Sequence, residues 1–138
     1  MKVIYSSGDL DGNLEYKLTY TDDARPLTEA DGMRIDVDAF ILYEDVDKKS
    51  GDMRTFVKIA DSDGTVYTSG GAVVLRKFRE AIDFIARKPG WRIGYVTPST
   101  GTSKAGRHFH DVVITLAPDN APDNAAPIPN VGSQADGE

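Results

Sequence analysis

Between residues 53 and 116 the hydrophobic pattern changes period twice, and that order limits what the chain can fold into. A strand-like alternation over 53–60 gives way to apolar residues three or four apart, Val74, Phe78, Ala81, Ile82 and Ile85, with Arg76, Lys77, Arg79, Glu80, Asp83 and Arg87 between them. This predicts an amphipathic helix ended by Pro89-Gly90. Alternation then returns over 91–97 and 107–116, split by the Gly/Ser/Thr/Lys-rich stretch 98–106, as expected for a hairpin.

Two further alternating runs lie upstream, at 14–21 and 33–43. In the first, Leu14, Tyr16, Leu18 and Tyr20 alternate with Glu15, Lys17 and Thr19, the period of a half-buried strand. In the second, Ile35, Val37, Ala39 and Ile41 fall on one face, with Arg34, Asp36, Asp38, Phe40 and Leu42 on the other. Residues 1–13 carry turn-forming clusters and read as a loose arm. The predicted fold is therefore all-β with one helix, a five-stranded β-β-β-α-β-β barrel of the OB type, spanning 1–116. Small open barrels of this type often bind oligonucleotides across one face.

The chain has 138 residues, enough for one domain with a substantial core. With no cysteine, disulfides, thiol catalysis and cysteine zinc sites are excluded. No apolar run approaches the roughly 18 residues of a membrane helix, and residues 1–5 lack the long apolar segment of a signal peptide, so a soluble, cytoplasmic protein is expected. Beyond Leu116 the composition turns to Ala, Pro, Asp and Asn, with the repeat Ala117-Pro118-Asp119-Asn120 and Ala121-Pro122-Asp123-Asn124. Residues 117–138 are expected to be a disordered acidic tail.

The net charge of −6 argues against a polyanionic partner until the charges are placed along the chain. Residues 1–47 hold 4 basic and 12 acidic side chains, residues 48–116 hold 12 basic and 6 acidic, and residues 117–138 hold 4 acidic and no basic ones. The helix and the last three predicted strands are thus basic, and local charge decides polyanion binding.

On the third run, Arg54, Phe56 and Lys58 share a face. An aromatic between two cations can stack on a base while the cations neutralise phosphates, whereas the plain alternative is packing beneath a helix. Tyr43 and Tyr67 are further stacking candidates near strand ends, and Lys104 and Arg107 close the hairpin loop. That loop does not match a P-loop, which places Gly-Lys-Ser/Thr at the start of a helix. His108 and His110 lie two apart but lack a third ligand, so no metal or other cofactor is expected. The aspartates of the turns, such as Asp45, Asp47, Asp61 and Asp63, serve backbone geometry, and no nucleophile and base recur in a recognisable spacing, so no enzyme is expected.

The run Val-Lys-Ile-Ala-Asp-Ser-Asp-Gly-Thr-Val-Tyr-Thr-Ser over 57–69, followed by the helix and then by 96–109 with Thr-Ser-Lys-Ala-Gly-Arg-His-Phe, resembles the small single-stranded-DNA-binding proteins of tailed bacteriophages. The likeness is to the type that serves protein-primed replication, and it spans roughly 35–116. It implies sequence-independent coating of single-stranded DNA during phage DNA replication in the host cytoplasm. The acidic tail departs from that pattern and is closer to tails by which cellular single-strand-binding proteins recruit replication partners. The tail is also suited to act as an anionic competitor for a basic groove. The alternative is a small β-barrel interaction or structural module with an acidic tether, for which the acidic first third and the overall charge speak.

Overall fold

The computed structural model describes residues 1–7, 12–21 and 23–119. It is mostly β: β1 (Lys2–Ser6), β2 (Arg25–Pro26), β3 (Ile35–Val46), β4 (Met53–Asp61), β5 (Val66–Ser69), β6 (Trp91–Thr102) and β7 (His108–Pro118), with helices α1 (Gly12–Tyr20) and α2 (Ala72–Arg87). The strands form one sheet in the order β2-β5-β4-β3-β6-β7, with β1 also paired to β3, and the sheet curls into an open half-barrel.

The long strand β3 organises this curl. Val37 to Val46 pair with β4, Ile35 and Asp36 pair with β6, and Ile41 to Glu44 pair with β1. Because β3 carries neighbours of both halves, each face of the sheet can hold its own apolar layer. The inner layer gathers Ile35, Val37, Phe40, Leu42, Val57, Ile59, Ile93, Val96 and Val112 under Val74, Leu75 and Phe78 of α2. The outer layer gathers Ala39, Ile41, Tyr43, Ala60 and Val66 around Leu18 of α1. The expected apolar face of α2 is the one it buries, with Ala81, Ile82 and Ile85 packed at the edge of the inner layer.

The run at 14–21 is a helix, not the expected first strand. Leu14 and Leu18 are four apart, as are Tyr16 and Tyr20, so the same residues also satisfy a helical stripe. Leu18 is fully buried and Leu14 packs beside it, while both tyrosines are 68% exposed with ring centroids 5.2 Å apart. The described residues therefore hold two α-helices. Residues 2–6, expected in a loose arm, instead form β1 against β3. Ser7 locks that pairing by donating its N–H to the Phe40 carbonyl at 3.0 Å and accepting the Phe40 N–H on its hydroxyl at 3.0 Å.

The predicted faces of β3 hold only as far as Val37. A register shift between Val37 and Ala39 moves Phe40 and Leu42 to the inner layer and Ala39 and Ile41 to the outer one. At the other end, β7 continues past Leu116 through Pro118, with Ala117 4% exposed. The remainder of the expected tail, 120–138, lies outside the described residues. No described helix is long and apolar enough to cross a membrane.

Candidate nucleic-acid interface

Alternation along β4 sends Val57 and Ile59 inward and Arg54, Phe56, Lys58 and Ala60 outward, as the sequence predicts. Antiparallel register sets Tyr43 opposite Phe56 and Asp45 opposite Arg54. The Tyr43 and Phe56 rings stack with centroids 5.5 Å apart and planes at 25°. Cations flank this pair: the Arg54 guanidinium is 5.8 Å from the Phe56 centroid and the Lys58 ammonium 5.1 Å from the Tyr43 centroid. Such contacts fix cation and ring together by the quadrupole of the aromatic face.

The cluster is braced from three sides. Arg54 donates to the Asp47 carboxylate at 2.8 Å and to the Gly70 carbonyl at 2.9 Å, joining the β3–β4 turn to the start of α2. The Arg54 hydrogen bond is the main cause holding the Asp47 carboxyl below the usual carboxylate range. Gly70 lies flat against Phe56, where a Cβ would come within 2.9 Å of the ring. The Tyr43 hydroxyl meets the Thr68 hydroxyl at 3.2 Å, and burial pushes its phenol pKa up. Tyr43 and Lys58 are each only 7% exposed, so Phe56, half-buried, and Arg54, exposed, form the accessible part of this cluster.

Tyr67 does not join them. It pairs with Ile59 on the opposite face and packs against the inner layer, so it offers no ring to a ligand on the Phe56 face. Lys104 and Arg107 lie at the tip of the β6–β7 hairpin, both exposed. From Thr97 onward β6 pairs with β7 alone, which makes the distal hairpin a two-stranded arm. Its base is held by Asp31, whose carboxylate accepts the Thr100 N–H at 2.9 Å and hydroxyl at 3.2 Å. Its tip is closed by Ser103, whose N–H reaches the Arg107 carbonyl at 2.8 Å.

The arm and the aromatic cluster meet at the edge where β5 and β7 fail to pair. His110 of β7 lies against Gly71, next to the Gly70 that supports Phe56. Beside it, the Lys77 ammonium of α2 caps the free β7 edge, donating to the Asp111 carboxylate at 2.6 Å and the Val112 carbonyl at 3.0 Å. That contact is the main cause holding the Asp111 carboxyl below its usual range. The β3–β4 turn adds Lys48 and Lys49, both exposed, whose place in a polar turn gives no sign in the sequence that they join this face. Trp91 at the start of β6 is 42% exposed next to Phe84, Lys88 and Leu116. His108 and His110 are exposed, and no metal-holding group of three or more His, Cys, Asp or Glu occurs among the described residues.

No family model, curated protein or solved structure matches this chain.

Proposed function

We propose that the protein is a non-enzymatic, sequence-independent single-stranded-DNA-binding protein built on a partly open OB-type barrel. What supports the barrel reading is strand order: β5-β4-β3-β6-β7, with α2 inserted between β5 and β6. In barrels of that type the second and third strands and the loops joining strands one to two and four to five form the ligand surface. Mapped onto this chain, those elements are β4 and β5, the turn bearing Lys48 and Lys49, and the arm tip bearing Lys104 and Arg107.

The observation that carries the reading is the stacked Tyr43–Phe56 pair with a cation on each ring, on the outer face and linked through Gly70 and Gly71 to the cationic arm. The exposed edge of Phe56 meets the π-face of a base, and Arg54 exchanges its Asp47 partner for a phosphate. Tyr43 and Lys58 act from beneath as the support that orients Phe56. Every base has a π-face, so this chemistry holds single strands with little regard to sequence. The role that follows is the coating of strands exposed during replication, phage replication by the resemblance above, in the cytoplasm, with replication proteins as partners of the acidic tail.

The test is an anisotropy titration with a labelled mixed-sequence single strand and with the same sequence as duplex. Tight binding to the single strand and weak binding to duplex supports the proposal. Absence of binding at low salt rejects it and favours a protein-binding barrel module.

A further inference from the structure

The single-stranded-DNA reading rests on Phe56, yet the arm carries an aromatic of its own in a more open position. Phe109 on β7 stands opposite Gly101 on β6. Its ring lies directly on that glycine: a Cβ built at Gly101 would fall 2.5 Å from the Phe109 Cζ. One ring face is thereby seated on backbone, and the side chain remains 44% exposed. A phenyl ring held flat on a strand, one face supported and the other open, is the geometry a base-stacking platform requires.

The charge around it selects the ligand. Residues 99–110, the distal arm, contain Lys104, Arg107 and two histidines and no acidic residue. Lys104, Arg107, His108 and His110 are all exposed. An apolar ring used only to seal the arm gains nothing from such surroundings, whereas a strand of nucleic acid needs both parts: an aromatic face for the base and cations for its phosphates. Duplex DNA keeps its bases stacked inside and offers no free base face to a ring, so a single strand is the ligand that uses both.

We infer that Phe109 is a second stacking site, on the arm, that holds a base of the same single strand bound at the Phe56 face. The inference rests on the single-strand reading above and deepens it: the bound strand passes from the β4–β5 face onto the arm, and Lys104 and Arg107 hold its phosphates there.

The test compares the wild-type chain with Phe109→Ala, Phe109→Leu and Phe109→Tyr in titrations with a mixed-sequence single strand. Phe109→Leu keeps an apolar group on Gly101 and removes the ring, and Phe109→Tyr keeps the ring. The expected result is a loss of affinity of about tenfold for Ala and Leu with rescue by Tyr, the size of one base–aromatic stack. Equal affinity of wild type and the Leu variant overturns the inference while leaving the single-strand reading standing. A wild type that binds no single strand removes both. A second measurement needs no variant: photocrosslinking of the wild type to a strand containing 5-bromodeoxyuridine. Trypsin cleavage after Arg107 leaves Phe109 as the one Phe, Tyr or Trp of the peptide beginning at His108, and fragmentation of that peptide distinguishes it from His108 and His110. A crosslink at Phe109 supports the platform, and crosslinks confined to peptides outside the arm contradict it.

Discussion

The rings of Tyr43 and Phe56 stack across the β3–β4 pairing at 5.5 Å, and the two residues are unequal: Tyr43 is 7% exposed, whereas Phe56 stands half-buried at the rim. The buried ring orients the open one. Lys58 and Thr68 hold Tyr43, and Arg54 and Gly70 hold Phe56. A face so braced presents one edge to a ligand without paying the entropy of ordering it on binding.

Gly70 should not tolerate a side chain. Its Cβ would lie 2.9 Å from two ring carbons of Phe56, with the Arg54 guanidinium 3.6 Å away. Gly70→Ala is expected to displace the Phe56 ring, changing the near-ultraviolet circular dichroism and weakening single-strand binding. The far-ultraviolet spectrum should be retained, because the three nearest atoms such a Cβ would meet belong to Phe56 and Arg54 of the outer face.

The arm cations act on phosphates in the proposed complex. Replacing both in Lys104→Ala/Arg107→Ala should lower the slope of log affinity against log salt by about 1.4, since each phosphate contact on a single strand contributes about 0.7. Titrations at four salt concentrations measure it. Both residues are exposed, so the thermal midpoint should be unchanged.

Acid should loosen the β7 edge. Lys77 holds the folded Asp111 carboxyl below the ordinary aspartate value of about 3.9. Folding therefore favours the ionised form. The stabilisation is complete above that ordinary value and is lost as pH falls through the lower folded one. Thermal melts from about pH 5 to pH 2 should show a falling midpoint, and Asp111→Asn should flatten part of that fall.

Helix α1 is a structural element of the outer layer. Leu18 is fully buried against β3, β4 and β5 residues, and Leu18→Ala should cost about 2–5 kcal/mol in chemical denaturation. A cost near zero would mean that α1 does not pack on the sheet.

The inner face of β4, the apolar stripe of α2 and the last hairpin are legible in the sequence because each keeps one period over its length. The Leu14–Tyr20 run is not, because residues two apart satisfy strand alternation and residues four apart satisfy a helix equally. What decides is tertiary: with β1 and β3 already paired, a helix lets Leu18 and Leu14 cover the outer layer. The shift between Val37 and Ala39 leaves no mark in the pattern, since apolar residues fall on both sides of it. The inward side of Tyr67 is not legible for a related reason: a four-residue strand is too short for its own alternation to say which face is buried. The outward face of Arg54, Phe56 and Lys58 is legible because cations and an aromatic alternate along it, whereas the seating of Phe109 on Gly101 depends on the β6–β7 register.

The most direct measurement is amide chemical-shift mapping of the full chain with an unlabelled mixed-sequence single strand. The predicted result is saturable perturbation concentrated at Tyr43, Arg54 to Lys58, Gly70 and 103–110. Perturbations centred on α2 or α1, or none at low salt, would contradict it.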